Sequence, residues 1–594
     1  MAMAVSSCKD YLEVENPSTI SQEAAFNSVS YTNSAIVGVY NRLNGDDAYG
    51  SRISLNYPMA ADDFKTGGDY SATDRRGLSM YGASPANDEL EKPFNQLYSG
   101  IERANICIKY IPQSALYTSG TASEQKLMKQ YYAEALTLRA QFYYELIRNW
   151  GDVPAQFVPA SDIADKFLPR TNRDEIYDKL LEDLKVAEEF IPWWSDSEKT
   201  QRLTKAAVKG LRARIALTRG GYSLRNGEEQ MLRRDDYKKF YEIAYQECKD
   251  IIDSKQHALN PSFENLFKSL HGTRMDPTNE WIWEVGAFGG GKADTKLAYG
   301  NGIRINEQSS YGKANGGVMG IPTYFYEFDQ KYDVRRDVTL VGYEIDKDDN
   351  KVFAASTDMR DGKFRKYWTS SRDASQSVGV NWPLIRYADI LLMFAEADNE
   401  IHGAPSAAAI DALQQVRKRA FAGNEDKVTT PPTDYTGFFN TIVHERLLEF
   451  GGEGIRKYDL IRWNLLNTII LETRAKLTQF MNGEGAYVNV PKDIYVKNTK
   501  FENASTVYSE LAKFDIYGGA LSNVAFVPAP ATAPAGYVKK AWRSSVNADY
   551  INGDLKGFAR YFEPNKKELF PIAIGILNQN YNLTQNNGYI VTSK

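Results

Sequence analysis

Residues 125–150 read QKLMKQYYAEALTLRAQFYYELIRNW, a long run without glycine or proline and rich in strong helix formers. A helix of that length spans about 39 Å. It is stable only where neighbours cover its apolar side. The stop is written in the next four residues, Gly151-Asp152-Val153-Pro154. Glycine readily ends a helix, and proline cannot continue one.

Comparable segments flank it. Residues 32–43, 92–111, 173–190, 204–218 and 236–254 all read as helices, and a second group follows at 387–401, 406–419, 438–450 and 454–465. Thr171-Asn172 can cap the 173–190 helix, which ends at Ile191-Pro192. Thr204 can cap the next, where Ala206, Ala207, Gly210, Ala213 and Ala216 allow a neighbour close approach. Helix pairs at intervals of roughly 30–45 residues predict a tetratricopeptide-like repeat scaffold. The fold class expected is mainly α: about four helix pairs, irregular loop-rich segments and a few short strands. Residues 1–20 are expected to be a signal remnant, a lipid-anchor cysteine and a tether. One globular domain then covers 21–594, with helical block 30–255, loop-rich insertion 256–383, helical block 384–466 and irregular segment 467–594. Strand-like pieces fall at 280–285 and 338–345.

Charge excludes some partners. The balance of 71 basic against 76 acidic residues gives no footprint for nucleic acid. No apolar run approaches the roughly 20 residues of a membrane helix. Three cysteines do not build a disulfide framework. Cys107 and Cys248 sit in apolar helical patterns and read as core residues. Cys8 follows Ser6-Ser7, small residues that resemble the end of a bacterial lipoprotein signal.

Catalytic signatures are sparse. Gly286 to Ala293 nearly spells a P-loop, but Ala293 replaces the hydroxyl residue that would hold Mg²⁺. No cofactor is expected. The four histidines form neither HExxH nor a Cys/His cluster, so no metal site is expected. No GxSxG elbow occurs. Asp62-Asp63 could supply paired carboxylates, but a surface turn is the expected place for them. The chain is not expected to be an enzyme.

Residues 445–463, ERLLEFGGEGIRKYDLIRW, interleave acids and bases with large apolar residues. At helical spacing Glu453 meets Arg456 and Asp459 meets Arg462. The density of charge beside apolar side chains predicts an ion-pair network enclosed by packing.

The chain has 38 Tyr, 27 Phe and 9 Trp. Most such rings fill a core, but tyrosine and tryptophan also offer a flat apolar face with a polar handle. Sugars need both: rings for their C–H faces, and Asp, Asn, Arg or Lys for their hydroxyls. The loops at 62–81 and 299–326 supply both kinds. The candidate ligand-binding residues are Asp69, Tyr70, Arg76, Tyr81, Tyr299, Arg304 and Tyr311. Trp193-Trp194 is a third candidate, more readily explained as packing.

Several segments together resemble the RagB/SusD family of nutrient-binding outer-membrane lipoproteins of the Bacteroidetes. They are 131–154 (YYAEALTLRAQFYYELIRNWGDVP), 202–217 (RLTKAAVKGLRARIAL), 382–400 (WPLIRYADILLMFAEADNE), 412–420 (ALQQVRKRA), 445–463 and 569–589 (LFPIAIGILNQNYNLTQNNGY). The resemblance implies a lipid-anchored protein facing the cell exterior, with Cys8 as the lipidated residue. It implies capture of oligosaccharides, or of peptides in some members, and delivery to a TonB-dependent transporter barrel of the outer membrane. It implies no catalysis. A helical-repeat scaffold for protein assembly is the alternative from another class. The shared motifs are structural, so the ligand site is expected in the loops they leave out.

Overall fold

The computed structural model describes residues 22–590 apart from 199–200, 273–274, 290–293, 502–514, 517–518 and 521–530. Its frame is a stack of helices: α1 (Val29–Tyr40), α2 (Glu91–Tyr110), α3 (Ala122–Trp150), α4 (Arg173–Phe190), α5 (Lys205–Arg219) and α6 (Tyr237–Asp253). Then come α7 (Tyr387–His402), α8 (Ala407–Ala420), α9 (Tyr435–Phe450), α10 (Arg456–Arg462) and α11 (Leu466–Asn482). Each of α2 to α6 packs on the next, and α7 packs on both α8 and α9. The order amounts to about four tetratricopeptide-like helix pairs. The third pair is split: α6 lies directly on α7, with the loop-rich segment between them in sequence looped away.

Local chemistry explains most boundaries. The Asn172 side chain accepts from Asp174 N and starts α4. A capping box of Thr121 and Glu124 starts α3, and Gly151 ends it at φ 77°. Thr204 occupies the N-cap position of α5, but its side chain makes no cap hydrogen bond. Helix α11 carries the helical block past the expected limit at 466. Its Thr468-Ile469-Ile470 run lowers helix propensity, while Leu466, Ile470, Leu477 and Phe480 are buried on one side. The expected strand at 338–345 is a short helix, Arg335–Thr339, followed by strands Leu340–Val341 and Tyr343–Ile345. Cys107 and Cys248 are buried core residues, as expected.

The 445–463 segment forms a buried ionic centre. Glu449, fully buried, accepts from Arg335 (2.8 Å), Arg386 and Arg419. Glu453 accepts from Lys363 (2.6 Å) and from Arg386 through two nitrogens (2.8 and 2.9 Å). Glu280 adds a third carboxylate to Arg386 (3.0 Å) and a second to Arg419 (3.1 Å). Arg446 bridges Asp459 (2.6 Å) and Asp389 (2.7 Å). Of the two helical pairs expected, Asp459–Arg462 forms, at 2.8 Å. Glu453 and Arg456 instead reach distant partners, because the chain between α9 and α10 turns through Gly452 and Gly454, at φ 81° and 74°. Burial penalises the Glu449 carboxylate, but Arg419, Arg386 and Arg335 outweigh it and hold its pKa well below the usual range.

Candidate functional site

Strand β1 (Phe64–Thr66) pairs antiparallel with Val318–Gly320, in the register Phe64↔Gly320 and Thr66↔Val318. The two nominated loops therefore leave one sheet side by side. Gly67 N donates to Gly317 O at 3.0 Å, and Gly317 N to Gly300 O. Arg360, on the strand Arg360–Asp361, lies across from Met319 in the same sheet.

This sheet is fastened to the ionic centre. Arg456 donates to both oxygens of Asp62 at 2.8 Å. Asp63 accepts from Phe64 N (2.8 Å) and Gly452 N (3.3 Å). Asp361 accepts from Lys363 N and from Asn301 Nδ2, both at 2.9 Å. Burial pushes the Asp361 carboxyl up to about 7; burial and the neighbouring Asp62 push Asp63 up to about 6. The Asp62-Asp63 pair is thus not in the surface turn expected of it. Both carboxylates are committed to holding the sheet in place.

The nominated residues divide by exposure. Asp69 is exposed, 3.9 Å from Lys556 Nζ. Tyr70 is half-buried, its hydroxyl donating to Gly82 O at 2.8 Å. Its ring lies 4.4 Å from that of Tyr561 with a 42° tilt. A Cβ on Gly82 would fall 2.7–2.8 Å from atoms of both rings, so the pair needs a glycine there. Arg76 forks onto Asp74, which also caps the short helix Arg75–Ser79, and the Arg76 stem lies over Gly68. The Asp74 hydrogen bond raises the pKa of the Arg76 guanidinium. Arg304 keeps about 60% of its side chain in water, 3.9 Å from Glu344.

Three tyrosines are more enclosed. Tyr311 is half-buried, edge-on to Phe501 at 4.9 Å, with its hydroxyl on Phe501 O. Tyr81 is 3% exposed. Its backbone is left-handed (φ 61°), its hydroxyl donates to Ala60 O, and its ring packs on Phe562. Tyr299 is buried, its carbonyl accepting from Asn315 N at 2.8 Å. Tyr81 and Tyr299 therefore shape the loops from beneath and present no ring face to solvent.

Sequence reasoning left out the segment that completes this surface. Tyr561 and Lys556 come from the C-terminal part, where Tyr70 N also donates to Leu555 O at 2.8 Å. The only signal was the aromatic pair in ARYF at 559–562. The surface thus offers two tilted tyrosine rings, an exposed carboxylate, and the cations Lys556 and Arg76, with Arg304 on the neighbouring loop beside Glu344.

The P-loop-like stretch falls partly outside the described residues. In its described part, Phe288 N and Gly289 N both donate to Asp294, which occupies the donors a phosphate would need. Cys8 and the expected signal remnant lie outside the described residues. Among the described residues, no helix is long and apolar enough to cross a membrane.

Two family models match the chain. One, described as the SusD family, covers residues 322–589. The other, described as starch-binding and associating with the outer membrane, covers residues 10–217. SusD-like protein P25 of Formosa agariphila is 25% identical over 78% of this chain and 88% of its own length. A SusD homologue from Bacteroides thetaiotaomicron superposes with a TM-score of 0.74 at 22% identity, over 96% of this chain and 98% of that one. Surface glycan-binding protein A from the same organism, solved in complex with laminarihexaose, gives a TM-score of 0.57 at 22% identity, over 74% of this chain and 91% of that one. These two structures share the fold.

Proposed function

Since the chain belongs to the RagB/SusD family, we propose that it is a cell-surface protein that captures an oligosaccharide and delivers it to a TonB-dependent outer-membrane transporter. The observation that carries this reading is the Tyr70–Tyr561 pair, with Asp69 and Lys556 beside it, on a sheet pinned to the buried ionic centre. Two tilted rings give a sugar's C–H face an apolar platform, and the charged groups at its edge meet the hydroxyls. The pinning supports preorganisation, which lowers the ordering cost of binding.

Asp69, Tyr70, Arg76 and Arg304 form the contact surface with Tyr561 and Lys556. Tyr311 lies at its rim, and Tyr81 and Tyr299 support it from below. Cys8 is the lipidated residue that anchors the protein to the outer membrane, facing outward. The protein binds without turnover; the engagement of Asp62 and Asp63 by Arg456 and backbone amides supports this. The laminarihexaose bound by a structural neighbour supports the ligand class and leaves the particular glycan open.

Affinity gels and isothermal titration against a glycan panel test the proposal. Wild type should bind at least one glycan, and Tyr70→Ala and Tyr561→Ala should weaken that binding. Undiminished binding in both variants discards this surface. Binding to peptides and to no glycan moves the assignment to a peptide-capturing member of the family.

A further inference from the structure

Away from the loop surface, the tryptophan-rich strand Trp281–Val285 faces the turn that begins at Trp194, across a cavity of about 140 Å³. A cleft of this size has room for one sugar ring. Trp194, Thr204, Asn279, Trp281, Trp283 and Glu284 line it, and Gln201 stands at the same wall. We propose that this cavity is a second binding pocket, taking a single sugar residue between the Trp194 ring and a hydroxyl–carboxyl pair. It rests on the carbohydrate reading above for its ligand class.

The walls are built. Trp281 is fixed by hydrogen bonds from its indole nitrogen to Ser269 Oγ (2.8 Å) and Leu266 O (3.2 Å). The pairing of its strand with Trp382–Arg386 slips between Trp281 and Trp283 and again between Trp283 and Glu284. Such irregularities re-aim side chains, and here four successive residues, 281–284, line one cavity. Glu284 accepts from Asn381 Nδ2 at 2.8 Å through one oxygen. Burial pushes its carboxyl up to about 7, so near neutrality it serves as donor as well as acceptor.

Thr204 supplies the independent sign of a missing partner. It is 4% exposed, it stands at the N-cap of α5 without capping it, and its Oγ1 has no hydrogen-bond partner among the described residues. A buried hydroxyl left unpaired costs about 1–3 kcal/mol, and a ligand hydroxyl in the cavity removes that cost. Gly286 keeps the rim closed: a Cβ there would fall 2.1 Å from Gln201 Oε1.

The two surfaces differ in a way an experiment can read. The pocket holds tryptophans, whereas the loop surface is built on tyrosines. The full chain is titrated with laminarihexaose and with methyl glycosides of neutral, acidic and N-acetylated sugars, following tryptophan emission. At least one sugar should give a saturable change. Its midpoint should rise tenfold or more in Trp194→Ala and in the nearly isosteric Thr204→Val, and stay put in Tyr70→Ala. Glycan retention on affinity gels without any tryptophan response overturns the pocket and leaves the proposed function standing. So does a response lost in Tyr70→Ala but kept in Thr204→Val. Silence in both assays overturns the carbohydrate reading and the pocket with it. A sugar-soaked crystal in which Thr204 Oγ1 meets only ordered water also overturns the pocket.

Discussion

Glu449 lies beneath three arginines with no exposure, while Arg304 leaves most of its side chain in water near a single carboxylate. In the ionic centre each carboxylate answers to several cations drawn from separate segments, so removing one member strands the others in a medium that does not solvate them. On the loop surface each charge has one partner or none, water screens the pairs, and the side chains stay available for a ligand. The same molecule thus keeps a region whose groups are spent on one another beside a region whose groups are not. The bidentate contact from Arg456 to Asp62 joins the two.

Substitution at the centre should break the contrast most. Glu449→Ala leaves Arg335, Arg386 and Arg419 short of a counter-charge, and should cost about 3–5 kcal/mol or prevent folding. Chemical denaturation monitored by circular dichroism reads this, and a loss below about 1 kcal/mol would show that the centre is not a cooperative network.

Acid and base should act in opposite directions on the ionic centre and on the buried carboxylates that hold the sheet beneath the loops. Burial raises the Asp389 carboxyl, but Arg446 and Arg214 outweigh it and hold it at about 2, against an ordinary 3.8. Its contribution is present above the ordinary value and is lost as pH falls through about 2. Asp63 and Asp361, raised to about 6 and 7, run the other way. Their contribution is complete below 3.8 and is lost as pH rises through 6 and 7. Melting temperature against pH should therefore decline between about pH 4 and 7 in wild type, less steeply in Asp361→Asn. Asp389→Asn should lower stability at neutral pH, by about 2 kcal/mol.

At the loop surface the expected effects leave stability and move to binding. Tyr70→Ala should weaken glycan binding about tenfold, roughly 1.4 kcal/mol, with little change in the unfolding midpoint. Titration calorimetry beside a melt separates the two. Arg304→Ala should be the mildest change, within about 0.5 kcal/mol in stability, with any loss confined to affinity.

The contrast also decides what the sequence could tell. Helix α4 was legible to its ends, because Asn172 caps it and Ile191-Pro192 stops it. The existence of the ionic network was legible from charge density among apolar residues at 445–463. Its wiring was not: Glu453 lies in a turn and pairs with Lys363 and Arg386, so helical spacing misassigned it to Arg456. The loops were legible as composition alone. Tyr81 and Tyr70 look alike in sequence, yet a left-handed backbone turns one into the core while the other pairs with Tyr561 from the far end of the chain. The Trp193-Trp194 turn faces a strand whose slipped register no local pattern records.

The split helix pair has a consequence for synthesis. Helix α6 carries Phe240, Tyr241, Ala244, Cys248 and Ile251 on its buried side; α5, made before it, and α7, which begins only at Tyr387, both pack on it. A ribosome must therefore add roughly 130 more residues after α6 before α7 exists. At about 5–20 residues per second, α6 waits several seconds to half a minute with α5 beside it but without α7. A growing chain in that state shows the side of α6 that α7 will meet, a target for holding chaperones, and the α6–α7 contact closes late, over a long loop.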